Sequence, residues 1–141
     1  MTESFKYEIR YWYPHMRKED IAIWERFITA YPTAYDTVIY DLAVGSGSPV
    51  SPGEEEVLAG GFKTLTQRKI DVVAQAPGTL DIIELKPDAG PSALGQVKGY
   101  VTLYKRDVNP SANPRPVLIT DRLKPDMKEL AEAQGVTLII V

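Results

Sequence analysis

The chain has 141 residues, 44% apolar and 25% charged. At that size one domain buries roughly two-thirds of its unfolded surface around a single core, and the balance excludes disordered, fibrous and collagen-like chains. With no cysteine and one histidine, His15, disulfides, thiolate zinc sites, cysteine-ligated iron–sulfur clusters, a cysteine nucleophile and multi-histidine metal centres are all excluded. A net charge of −3 gives no global attraction to nucleic acid, so a polyanion has to be held by a local basic patch or by bound metal.

Residues 5–13 alternate, with Phe5, Tyr7, Ile9, Tyr11 and Tyr13 on one side and Lys6, Glu8, Arg10 and Trp12 on the other. That is the period of a half-buried strand, and an extra N-terminal strand is expected within residues 1–17. Residues 18–31 carry Ile21, Trp24, Phe27, Ile28 and Tyr31 at helical spacing until Pro32 stops the pattern. Residues 33–44, rich in Tyr, Val, Ile and Thr, predict a strand that breaks at Gly45-Ser46-Gly47-Ser48-Pro49. The following loop, residues 45–61, contains Glu54-Glu55-Glu56 and little to bury, so it is expected to be mobile without substrate.

Residues 68–76 and 79–86 are apolar on both faces, as strands central to a sheet are, and Pro77-Gly78 joins them. A helix follows over residues 92–105, striped by Leu94, Val97, Val101 and Tyr104, with Gly95 and Gly99 four apart so that one side can approach a neighbour closely. Residues 116–120 predict a short buried strand, 126–133 a helix ended by Gly135, and 136–141 a last strand. Without repeats or a linker, the order β-α-β-β-β-α-β-α-β predicts a single α/β domain over residues 1–141. No apolar run approaches the ~20 residues of a membrane helix and the start is unlike a signal peptide, so a cytoplasmic location is expected.

If the Pro77-Gly78 hairpin closes with a two- or four-residue loop, Ala76 faces Thr79 and Asp71 stands opposite Glu84. Facing side chains have Cβ atoms ~4.5–5.5 Å apart, and two like charges there need a cation between them. A divalent ion fits, and hard carboxylate oxygens suit Mg²⁺ or Mn²⁺. Lys86, two residues past Glu84, projects from the same face and reaches the same water. The spacing equally suits a charge cluster in which Lys69 and Lys86 simply neutralise the two carboxylates.

Asp71, then Glu84-Leu85-Lys86 thirteen positions later at the end of an apolar strand, then Gln96 and Tyr100 on a helix, resembles the PD-(D/E)XK nuclease superfamily, in its RecB-like branch with a Gln-x-x-x-Tyr motif. The resemblance covers roughly residues 18–120, with Ile70 where the family name has proline. It implies a restriction-endonuclease-like core, a central mixed β-sheet flanked by helices, and divalent-metal-dependent hydrolysis of DNA phosphodiester bonds with weak sequence specificity. It further implies that Asp71, Glu84 and the Leu85 main-chain carbonyl hold Mg²⁺ or Mn²⁺, with Lys86 acting on the water and the phosphate. In the family the helix face that carries Gln96 and Tyr100 supports the site and contacts DNA, and Arg68, just before Asp71, is a candidate phosphate contact. Some members bring a glutamate from the first helix to the metal, and Glu25, flanking the apolar stripe, is the residue in that place.

The resemblance extends to small standalone enzymes carried by phages, for which the compartment is the host cytoplasm. A competing reading keeps the fold as a catalytically inactive nucleic-acid-binding or assembly module. Exposed strand edges on so small a domain favour a homo-oligomer.

Overall fold

A computed structural model describes residues 3–47 and 66–141. The elements are β1 (Ser4–Lys6), α1 (Lys18–Ala30), β2 (Thr37–Val44), β3 (Arg68–Ala76), β4 (Thr79–Leu85), α2 (Pro91–Asp107), β5 (Arg115–Thr120), α3 (Met127–Gln134) and β6 (Thr137–Ile140). All six strands join one sheet in chain order, antiparallel from β1 to β4 and parallel from β4 to β6. Hairpins are short enough to join the antiparallel strands β3 and β4, whereas each parallel step needs a helical crossover, here α2 and then α3. Both crossovers pack on one face of the sheet and α1 on the other, so the α/β domain has a mixed central sheet flanked by helices, as its element order predicts.

The N-terminal strand is shorter than the alternation predicts. Only Ser4–Lys6 pairs with β2. Tyr7 and Tyr13 are buried, but Ile9 is 53% exposed and Tyr11 fully so. The segment finds side-chain partners in place of a ladder: Tyr7 donates its hydroxyl to the Tyr31 carbonyl at 2.6 Å, and the Arg10 amide donates to the Tyr13 hydroxyl at 3.0 Å. A loop pinned by two aromatic rings has the same odd-numbered pattern as a strand. Most of the segment read as a long loop, from residue 48 on, lies outside the described residues. Gly95 and Gly99 face open space among the described residues and meet no close neighbour there.

On the α1 side, Trp24 is fully buried, stacks on Phe27 with ring centroids 5.5 Å apart, and donates its Nε1–H to the Tyr40 hydroxyl at 2.9 Å. That contact and the edge-on ring of Tyr7 seat the helix against the sheet. Strict alternation would keep Val38, Tyr40, Leu42 and Val44 of β2 on one face. Val38 and Tyr40 do face α1, but Leu42 and Val44 pack with α2, so β2 changes face at Asp41, whose φ is +55°. β3 changes face at the residue across from it, Asp71, with Ile70 toward α2 and Val72 toward α1. β4 keeps its alternation, with Ile83 and Leu85 both toward α1.

At the other end of β4, Asp81 is completely buried yet fully partnered. Arg115 grips it through two nitrogens, at 2.9 and 2.7 Å, and the Tyr35 hydroxyl donates to it at 2.5 Å. Among the described residues no helix is long and apolar enough to cross a membrane. Removing Arg115 strands a buried charge, whereas removing the Tyr35 hydroxyl leaves the pair intact. Arg115→Met is therefore expected to destabilise by ~2–3 kcal/mol, less than a fully buried pair would cost because water reaches the guanidinium. Tyr35→Phe is expected to cost ~1 kcal/mol; urea denaturation gives the order.

Candidate active site

Ala76 faces Thr79, and the pairing of β3 with β4 runs to Val72↔Ile83. One step further along this register Asp71 meets Glu84, and there the ladder changes character. The Leu85 amide donates to the Asp71 side chain, Oδ2, at 2.8 Å. Asp71 thus bridges two strands with its carboxylate at the point where β3 changes face.

The Asp71 and Glu84 carboxyls are near enough for each to bear on the ionisation of the other. Both carboxyl pKa values lie above the usual range. Burial is the first cause for each, followed at Glu84 by the charge of Asp71, while the Leu85 N–H favours the Asp71 anion. Glu84 is consequently the more strongly raised of the two. Its Oε2 is buried without a hydrogen-bond partner among the described residues, a costly arrangement for a carboxyl oxygen.

These two groups open into a hollow of about 420 Å³, whose walls include Lys86, Gln96, Tyr100 and Asp20. Lys86 is exposed at the rim, and its positive charge favours the anionic forms of both Glu84 and Asp20. From α2, Gln96 donates its amide to the Tyr100 hydroxyl at 2.7 Å. Tyr100 is buried, and its phenol is pushed up first by that burial and then by the charge of Glu84. Arg68 lies in the adjoining hollow, which shares Gln96 and Tyr100 as a wall. The fold therefore brings together Asp71, Glu84, Leu85, Lys86, Gln96 and Tyr100, with Arg68 next door.

Glu25 is not among them. Its carboxylate accepts the Tyr13 hydroxyl at 2.8 Å, and it lines a different hollow beside Ile9, Tyr31 and Val141. Two α1 carboxylates, Glu19 and Asp20, line the hollow, and the charge of Asp20 bears on both Asp71 and Glu84. The buried stripe of α1 is Ile23, Trp24, Phe27 and Ile28, while Ile21 is only half-buried. Centred on Ile23 and Trp24, the stripe points its N-terminal extension at Asp20, three and four residues earlier, and turns Glu25 to the side. Arg17, just before the helix, lines the same hollow. Counting Ile23 into the apolar stripe is the sequence signal that finds Asp20.

Among the described residues no three histidine or acidic side chains already cluster as a metal cage. What the site offers is two carboxyl groups with hard oxygen donors, one oxygen of which lacks a hydrogen-bond partner among the described residues, held together despite their mutual repulsion. Such a donor set fits a divalent cation of the Mg²⁺ class, which takes one or two carboxylates and otherwise keeps water or phosphate.

No family model and no curated protein matches the chain. Among solved structures it is similar to a repair endonuclease from Pyrococcus abyssi, at 21% identity and a TM-score of 0.49, over 90% of this chain and 49% of that one. The chain thus spans about half the length of that protein.

A carboxyl whose pKa is raised by folding holds its proton more tightly in the folded than in the unfolded state. Its contribution is neutral below the ordinary carboxylate range and turns destabilising as pH climbs toward the raised value. In chelator-containing buffer the melting temperature is expected to fall between about pH 5 and about pH 8. Glu84→Gln should remove most of that slope and stabilise the protein by ~2 kcal/mol at the upper end, the equivalent of between one and two pKa units. An unchanged slope in Glu84→Gln would show that the pair carries no strain.

Proposed function

We propose that the protein is a divalent-metal-dependent nuclease that hydrolyses DNA phosphodiester bonds with little sequence specificity. The observation that carries this reading is the partnerless, buried Oε2 of Glu84, facing the Asp71 carboxylate in a polar hollow with Lys86 at its rim. Two carboxyls kept together at such cost are explained by a cation that neutralises both. Asp71, Glu84 and the main-chain carbonyl of Leu85 are the residues that hold Mg²⁺ or Mn²⁺ in this reading. Bound there, the cation supplies Lewis-acid activation of water and of the phosphate.

The chain's own groups supply the remainder. Lys86 offers an ammonium to the non-bridging phosphate oxygens, where negative charge grows in the transition state, and orients the attacking water. Gln96, through its hydrogen bond to Tyr100, fixes the phenol on the wall of the hollow against which the DNA strand lies. Arg68 adds a phosphate contact in the neighbouring hollow, a role that positions the strand without reading its sequence. Asp20 stands at the helix end as a carboxylate that restrains the cation and its waters.

Incubation of circular and linear DNA with Mg²⁺, Mn²⁺ or EDTA tests the reading: cleavage is expected with either ion and none with chelator. Asp71→Asn and Glu84→Gln should abolish it. Lys86→Met should lower kcat by ~10²–10³-fold while calorimetry still detects Mn²⁺ binding, because the ammonium acts on phosphate and water and not on the ion. Asp20→Asn should slow cleavage and Glu25→Gln should leave it within about twofold, as expected of a side chain on another surface. Full activity in Asp71→Asn or Glu84→Gln would remove the basis of the assignment.

A further inference from the structure

We propose that Asp41 is a positioning residue whose left-handed backbone turns the antiparallel β2–β3 pair and so sets the Asp71 carboxylate between β3 and β4. Its φ of +55° falls inside an eight-residue strand, where extended backbone is the rule. The pairing of β2 with β3 runs Thr37↔Gln75 to Tyr40↔Val72 and resumes at Leu42↔Ile70, so the interrupted position is Asp41 across from Asp71. Both strands change face at that position while the register on either side is kept. β4 does not follow. Past Asp41 the β2–β3 pair therefore belongs to the α2 side: Leu42, Val44 and Ile70 join that core, and the Gly45 amide donates to Asp107 at 2.7 Å.

The consequence falls on Asp71. At the turning point, the neighbouring strand's Leu85 amide meets the Asp71 side chain instead of continuing the ladder. A β2 that stayed extended would keep Leu42 on the α1 side and Asp71 within a regular ladder. Aspartate is one of the few residues other than glycine that enter this backbone region readily. The half-buried carboxylate lies in the field of His15 and Lys69 and does not line the hollow that holds Asp71 and Glu84, although its charge reaches Asp71. The role assigned to Asp41 is conformational, and it rests on the nuclease reading only for its effect on turnover.

Asp41→Gly, Asp41→Asn, Asp41→Ala and Asp41→Val separate backbone from side chain. Glycine and asparagine accept the left-handed backbone without the carboxylate; alanine and valine resist it. Three readouts apply: hydrogen-exchange protection of the Leu85 amide in chelator, Mn²⁺ affinity by calorimetry, and kcat for DNA cleavage. Glycine and asparagine variants are expected to keep all three within about threefold of the parent, whereas alanine and valine lower Leu85 protection at least about tenfold and reduce kcat and Mn²⁺ affinity with it. Should the valine variant not fold, the alanine–glycine pair decides. Equal Leu85 protection across the set overturns the proposal, as does a glycine variant as impaired as alanine, which would give the role to the carboxylate. If the parent protein neither cleaves DNA nor binds Mn²⁺, the nuclease reading fails while Leu85 protection still decides the role of Asp41.

Discussion

Two carboxyl groups, Asp71 and Glu84, are held face to face in the protein interior, and much of the domain's architecture serves to hold them there. Lys86 at the rim relieves their repulsion only in part, and one Glu84 oxygen has no hydrogen-bond partner among the described residues. Burial first, and at Glu84 the charge of Asp71 next, holds both pKa values above the ordinary carboxylate range. In the proposed reading a divalent cation, held by the same hard oxygen donors, neutralises both groups.

The rigidity needed for this comes from central strands buried on both faces. Ile82, Ile83, Val72 and Val73 are fully buried and anchor the β3–β4 pairing just beside the carboxylates. The other end of β4 is clamped by Asp81, Arg115 and Tyr35, a polar network in which the buried group is fully partnered. The two ends of one strand thus contrast: one carboxylate is satisfied by protein groups and the other is left wanting. Complete satisfaction fits a structural role, and an unsatisfied oxygen fits a ligand-binding one.

The helices place what surrounds the pair. α1 is locked on the sheet by Trp24 and Tyr40, which brings its N-terminal end, with Arg17 and Asp20, over the hollow. α2 buries Tyr100 and holds it to Gln96, presenting a phenol beside the carboxylates. The change of face at Asp41 and Asp71 lets one end of the β2–β3 pair pack with α2 while β4 continues on its own course, and the site lies where those courses part.

Element order and the register of the central hairpin were legible in the amino-acid sequence, because apolar runs of strand length, helical stripes and the Pro77-Gly78 turn each impose a period or an offset that few arrangements satisfy. The facing of Asp71 and Glu84 follows from that offset alone, as does the projection of Lys86. The extent of β1, the identity of the α1 carboxylate and the face change at Asp41 were decided only by tertiary structure. Aromatic alternation from Phe5 to Tyr13 is the same for a strand and for a loop pinned by Tyr7 and Tyr13, and only the available partners distinguish them. The choice of Asp20 over Glu25 depends on the rotation of α1 about its axis, which packing of Ile23 and Trp24 against the sheet settles. A left-handed residue inside a strand leaves no periodic trace, since aspartate at position 41 reads as an ordinary polar residue until the residues on either side of it are seen on opposite faces of the sheet.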